Sequence, residues 1–203
     1  MNDDLPVCVV EDDAAMLDAL ALLLQSGGFG VQAFASAEAF LKEIKPAESV
    51  CLLTDLCLPN MDGLTLYRHL VSLGNEPAAV MITGHGDIPM AVAALKEGVM
   101  DFVEKPFDPG ILLDSVRAAS QRAVMNRHRH AIAMDIESRF RTLTAREKEI
   151  IDLLVQGHPN KVIAATLGIS PRTAEHHRAH AMEKLGVRTL SQLIKVALRL
   201  PDD

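Results

Sequence analysis

The chain has 203 residues, 49% hydrophobic and 23% charged, with a net charge of −7; this composition fits a globular protein with one medium and one small domain. No apolar run approaches the ~20 residues that span a bilayer, so no membrane association is expected. The opening Met1-Asn2-Asp3-Asp4 lacks the basic start of a secretory leader, and a cytoplasmic protein is expected.

In chain order, the first ~120 residues alternate short apolar runs with amphipathic stretches. Val7–Val10 is a continuous apolar run, as a strand buried on both faces requires. Ala14–Gln25 carries Met16, Leu17, Leu20, Leu23 and Leu24 at helical spacing and stops at Gly27-Gly28. Val31–Phe34 predicts a second strand, Glu38–Lys45 a short helix closed by Pro46, and Val50–Thr54 a third strand ending at Asp55. Leu64–Leu73 predicts a helix, Ala79–Thr83 a strand, Met90–Lys96 a helix and Phe102-Val103 the core of a fifth strand, with a further helix from about Ile111. Five successive βα units imply a parallel sheet with helices on both faces; the pattern does not give the strand order.

Residues 114–141 hold almost no Gly or Pro and carry arginines at 117, 122, 127, 129, 139 and 141. They are read as the last helix of the first domain (residues 1–122) running into a helical linker (123–140), with a short basic coil as the alternative. Residues 141–203 change character and predict four short helices. Thr144 and Glu147 form a capping-box pair before Ala145–Gln156. Asn160 is expected to cap Lys161–Leu167, Ser170-Pro171 opens a helix running to about Leu185, and Thr189 opens Leu190–Leu200.

Charge is unevenly spread. Residues 1–110 hold 5 Lys/Arg against 17 Asp/Glu, net −12, whereas residues 111–203 hold 15 against 10, net +5. A basic half suggests a polyanionic partner once its shape also fits one. Cys8, Cys51 and Cys57 match no zinc spacing and are read as reduced, small apolar residues.

In a parallel α/β sheet the working site lies beyond the carboxyl ends of the strands. The polar residues there are Glu11, Asp12 and Asp13, then Asp55, Thr83 and Lys105. Several carboxylates brought together repel unless a cation joins them, and Mg²⁺ takes oxygen ligands while bridging carboxylates to phosphate. Lys105 and Thr83 supply the positive charge and hydroxyl that hold a transferring phosphoryl group, and Asp55 is placed as the nucleophile that forms an acyl phosphate.

These stretches are Val-Val-Glu11-Asp12-Asp13, Leu-Leu-Thr-Asp55-Leu-Cys-Leu-Pro, Met-Ile-Thr83-Gly-His-Gly-Asp and Asp-Phe102-Val-Glu-Lys105-Pro-Phe. Over residues 5–120 the chain resembles the receiver domain of two-component response regulators, most of all the FixJ branch of the FixJ/NarL type. The resemblance implies a flavodoxin-like sheet of order 2-1-3-4-5. It implies Mg²⁺ held by Glu11, Asp12, Asp55 and the backbone carbonyl of Cys57, with Asp13 as the alternative to Asp12. It further implies Asp55 as phosphoacceptor, Thr83 as switch hydroxyl, Lys105 as phosphate partner, Phe102 as switch aromatic and a cis Lys105-Pro106 bond.

Four short helices with Gly breaks fit a helix-turn-helix, with Gly168-Ile169-Ser170 as the turn and Pro171–Leu185 as the recognition helix. Ala174, His177, Ala181, Met182 and Leu185 are expected to face inward, leaving Arg172, Thr173, Glu175, His176, Arg178, Ala179 and His180 outward. Arginine there meets phosphate, and Glu175 can accept from a cytosine amino group. His176 and His180 have zinc-compatible spacing, but no third ligand lies nearby.

Leu143-Thr-Ala-Arg-Glu-Lys-Glu, Pro159-Asn-Lys-Val-Ile-Ala and Ile169-Ser-Pro-Arg-Thr-Ala-Glu-His-His-Arg resemble the LuxR-type output domain. The resemblance implies backbone contacts from Lys161, Thr173 and Arg178, and base contacts from Glu175, His176 and Ala179, the last through a thymine methyl. Ala174 departs from the family's Val or Ile, which implies looser packing. The last helix is the implied dimer contact. The partners implied are a sensor histidine kinase, promoter DNA, a second copy of the chain on phosphorylation, and RNA polymerase. Classified enzymatic activity is not expected. A phosphatase using Asp55 covalently would need a general-acid Asp where Cys57 stands; an output domain that binds protein rather than DNA is the remaining alternative.

Overall fold

A computed structural model describes residues 5–84 and 88–197. Residues His85, Gly86 and Asp87 of the fourth-strand stretch, and the end of the last predicted helix from Leu198 on, lie outside the described residues. The chain forms two compact units, the first ending at His128 and the second beginning at Arg129.

The first unit is built on five parallel strands, β1 (Val7–Val10), β2 (Val31–Phe34), β3 (Ser49–Asp55), β4 (Glu76–Thr83) and β5 (Asp101–Glu104), in the order β2-β1-β3-β4-β5. This is the flavodoxin-like order. Between them run α1 (Ala14–Ser26), α2 (Ala37–Glu43), α3 (Gly63–Ser72) and α4 (Ile88–Glu97), followed by α5 (Pro109–Arg141). Period-two alternation splits the buried strands between two cores. Cys8, Val10, Val50 and Leu52 pack with Phe40, Leu66 and Leu70. Val7, Val9, Cys51 and Leu53 pack with Leu20, Leu24, Leu112 and Val116. The central strands β1, β3 and β4 are buried almost throughout because both faces are covered, whereas the edge strands β2 and β5 are partly exposed. Burying each large side chain contributes about 1.5–3 kcal/mol.

β4 starts three residues earlier than the sequence predicts and includes Pro77. Its first four residues pair with β3 alone, since pairing with β5 begins at Val80. A proline near a strand's start, where one side lacks a neighbour, does not break the ladder. Asp13 is the N-cap of α1, its Oδ1 accepting from the Met16 N–H at 2.8 Å. α5 packs on this unit through Ala123 and Asn126, whose Nδ2 donates to the Glu76 carbonyl. Cys8 and Cys51 are buried, Cys57 is exposed, and no disulfide forms.

The second unit packs α6 (Ala145–Val155), α7 (Asn160–Thr166), α8 (Pro171–Lys184) and α9 (Leu190–Ala197) around Leu143, Ile150, Ile151, Leu154, Ile163, Ala181, Leu185 and Leu193. Gly168, at φ +64°, follows the α7 C-cap, a left-handed position that suits glycine. Ser170 caps α8, with Pro171 in its first turn. The expected role of Asn160 is corrected: the cap of α7 is Pro159, and Asn160 is already helical. Ala174, Ala181 and Leu185 are buried, while His177 and Met182 are half-buried. Ala174 is therefore a core residue despite its small size.

The capping box of α6 is present. Thr144 Oγ1 accepts from the Glu147 N–H at 3.2 Å, and Glu147 Oε2 accepts from the Thr144 N–H at 2.8 Å. The same Glu147 oxygen meets Lys184 Nζ at 2.7 Å. Burial disfavours the Glu147 carboxylate, but the bonds from Lys184 and Thr144 outweigh burial and lower its pKa. The stabilisation this gives is complete above the ~4.3 of an unfolded glutamate and is lost as pH falls through the lower folded value. Glu147→Ala should cost about 1–3 kcal/mol in urea unfolding of the full chain at pH 7. Glu147→Gln should cost less, since an amide oxygen still accepts from Thr144. Both deficits should shrink as the measurement is carried below pH 4.

Candidate functional site

The strand-end residues converge. Lys105, just after β5, places Nζ 3.0 Å from Glu11 Oε2 and also on Asp55 Oδ2. The loops holding these groups are tied to the sheet: the Lys105 N–H donates to the Thr83 carbonyl and the Leu56 N–H to the Ile82 carbonyl, both at 2.8 Å. Asp55 is buried, and its Oδ1 accepts from the Cys57 N–H at 2.8 Å. The Lys105-Pro106 bond is cis.

Electrostatics mark the site. Burial pushes the Glu11 carboxyl above its ordinary value, and the negative charge of Asp55 adds to this against the pull of Lys105. Burial alone would lower the Lys105 pKa, but its bonds to Asp55 and Glu11 hold it above the usual value. Negative charge is thus concentrated at the ends of β1 and β3.

The other predicted residues fall around this centre. Thr83 is buried at the end of β4, its Oγ1 donating to the Gly84 carbonyl at 3.2 Å. Phe102 is half-buried on β5 beside Met81. Asp12 is exposed, whereas one oxygen of Asp13 is committed to the cap of α1.

Among the described residues, no three or more His, Cys, Asp or Glu are gathered closely enough to hold a metal ion. An ion that keeps several waters needs only one or two carboxylates. The hard oxygens of Glu11 and Asp55, with the raised Glu11 pKa, fit such an ion and do not fit a tetrahedral zinc site.

The sequence reading missed Gly63. A Cβ there would meet the Asp55 carbonyl oxygen closer than any real Cβ contact, and would lie 3.2 Å from Leu56 Cα. The Gly63 N–H also donates to the Leu56 carbonyl at 3.0 Å. Asp62-Gly63 reads as a turn signal; only the fold shows which backbone it approaches.

In the second unit, Arg172, Thr173, Glu175, His176, Ala179 and His180 form the exposed side of α8, and Lys161 is exposed on α7. The Thr173 hydroxyl lies 2.8 Å from Ser170 Oγ. The rings of His176 and His180 lie close, with centroids 4.1 Å apart and planes tilted by 51°. Arg178 differs from its neighbours: it is half-buried and donates from Nη1 to Asn160 Oδ1 at 3.2 Å.

Known proteins share this organisation. Residues 7–117 match the response regulator receiver domain, and residues 141–197 the bacterial regulatory proteins of the luxR family. The transcriptional regulatory protein FixJ of Azorhizobium caulinodans is 40% identical over 198 residues, covering 98% of this chain and 94% of FixJ. FixJ of Rhizobium meliloti is 41% identical over 195 residues, covering 96% of each chain. The solved structure of the response regulator StyR is similar with a TM-score of 0.82 and 36% identity, covering 97% of this chain and all of StyR. That of FixJ-N has a TM-score of 0.53 and 40% identity, covering 58% of this chain and 94% of FixJ-N. The chain belongs to the response regulators that join a receiver domain to a LuxR-type helix-turn-helix, and it is a phosphorylation-dependent transcriptional regulator.

Proposed function

We propose that Asp55 is the residue that accepts the phosphoryl group, from a phosphohistidine of a partner sensor kinase. The observation that carries this reading is the Lys105 ammonium shared by Asp55 and Glu11 at the strand ends. An Asp55 carboxylate oxygen forms the new bond to phosphorus as the bond to the kinase histidine nitrogen breaks. Lys105 then pairs with the phosphoryl oxygens. Thr83 turns its hydroxyl from the Gly84 carbonyl to the phosphoryl group, and Phe102 shifts with it, biasing a pre-existing equilibrium. Glu11, Asp12, Asp55 and the Cys57 carbonyl hold Mg²⁺, which supplies charge neutralisation when bound. Asp12 is preferred to Asp13 because Asp13 already caps α1.

The functional modules are residues 1–122 as receiver, 123–140 as helical linker and 141–203 as DNA-binding domain. Lys161, Arg172, Thr173 and Arg178 meet the DNA backbone, while Glu175, His176 and Ala179 face bases. Phosphorylation promotes pairing with a second copy. Val92 and Leu95, three residues apart on α4, are exposed apolar side chains available for a contact. Promoter-bound dimers then engage RNA polymerase in the cytoplasm. No described helix is long and apolar enough to cross a membrane.

Incubation with a small-molecule phosphodonor and Mg²⁺ should add one phosphoryl group to the wild type and none to Asp55→Asn, as read by intact mass. Labelling of Asp55→Asn to the wild-type level would sink the assignment. Gly63→Ala should slow labelling by about tenfold or more, because displacing the Asp55 backbone by a fraction of an ångström misaligns the acceptor.

On a duplex carrying the target site, Lys161→Ala and Arg172→Ala should each weaken binding similarly across sequences and reduce the salt slope by about 1. Glu175→Ala should instead relax preference at one base pair, by about 1–3 kcal/mol.

A further inference from the structure

A hydrogen bond joins Arg178, an expected DNA contact, to Asn160, a residue expected only to cap α7. Asn160 is the first residue of α7, and Arg178 lies two turns into α8. With the capping role gone, the Asn160 side chain makes a bond across the two helices: Oδ1 accepts from Arg178 Nη1 at 3.2 Å. Asn160 and Arg178 also line a recess of about 330 Å³ with Glu175, Ala179 and Met182. Glu175 lies three and four residues before Arg178 and Ala179, and Met182 four and three after them, so the four share one face of α8. That face combines a carboxylate, a guanidinium and the small side chain of Ala179, which leaves the recess open.

A surface arginine reaches DNA as one of many rotamers, and ordering it costs binding energy. Arg172 is exposed at the start of α8, whereas Arg178 is half-buried and already fixed at the wall of the recess. A planar guanidinium held on one edge keeps its remaining N–H groups in a defined fork. Asn160 itself can remain on α7 while its oxygen sets that fork.

We propose that Asn160 is a positioning residue for DNA recognition, acting through Arg178, so that the guanidinium is fixed at the recess over Ala179 before DNA arrives. The proposal rests on α8 being the DNA-reading helix. It predicts that Asn160 contributes to affinity only while Arg178 is present.

The test is a double-mutant cycle on the full-length protein, treated with phosphodonor and titrated with a duplex carrying its target site at fixed salt. Asn160→Ala should weaken binding about three- to tenfold, the equivalent of one long side chain left to be ordered on binding. Arg178→Ala should weaken it at least as much, and the double variant should match Arg178→Ala alone. A further loss of threefold or more from Asn160→Ala in the Arg178→Ala background would overturn the proposal, as would an Asn160→Ala protein that binds like wild type. Helical circular dichroism and the urea midpoint of Asn160→Ala report the fold. A drop in both, with affinity lost equally in the two backgrounds, identifies a structural role and also overturns it. If Arg172→Ala and Lys161→Ala leave binding to any duplex unchanged, it is the reading of α8 as the DNA-binding helix that fails.

Discussion

The receiver unit depends on one ammonium group standing between two buried carboxylates. Glu11 and Asp55 come from adjacent strands, and neither charge is tolerable in the core without a partner. Lys105 answers both from a third strand end, reached through the N–H bond of its backbone to Thr83. The 2-1-3-4-5 order makes this possible, since β1 and β3 are neighbours and β4 and β5 lie beside them. The arrangement compensates the Asp55 and Glu11 charges with a single shared ammonium.

The second unit solves a different problem, presenting polar side chains to a polyanion from a core of modest size. Its core draws on Ile150, Ile151, Leu154 and Leu193, with Ala174 and Ala181 letting α8 lie close. Caps at Thr144 and Ser170 fix where α6 and α8 begin, and the start of α8 sets which residues emerge from it. The same short polar side chains that start the helices therefore set the register of the exposed face.

Much of this is legible in the sequence. Asp55 and Lys105 follow apolar runs closely, and strand ends in a parallel sheet gather at one edge, so their meeting follows from pattern and topology. The caps at Thr144 and Ser170 were readable for a similar reason, because their chemistry is local. What the sequence concealed depends on one-residue shifts or on distant backbone. Asn160 follows a proline that takes the N-cap position without a side-chain bond, so the helix starts one residue earlier and the Asn160 amide is free to accept from Arg178. Asp12 and Asp13 have nearly the same chemistry, and only the entry geometry of α1 separates them. Gly63 reads as a turn residue, while the backbone it approaches lies at the end of β3.

The distribution of the three thiols has a consequence for how this protein can be observed. Burial pushes Cys8 up to about 11, with Glu48 adding to it, and burial with the neighbouring Cys8 pushes Cys51 up to about 12. Only the thiolate reacts appreciably and burial also hinders access, so Cys8 and Cys51 are disfavoured targets at neutral pH, whereas Cys57 is exposed two residues beyond Asp55. A thiol-directed dye added to the unaltered chain therefore favours Cys57, beside Asp55. The protein carries a built-in attachment point from which events at its own site can be followed by light.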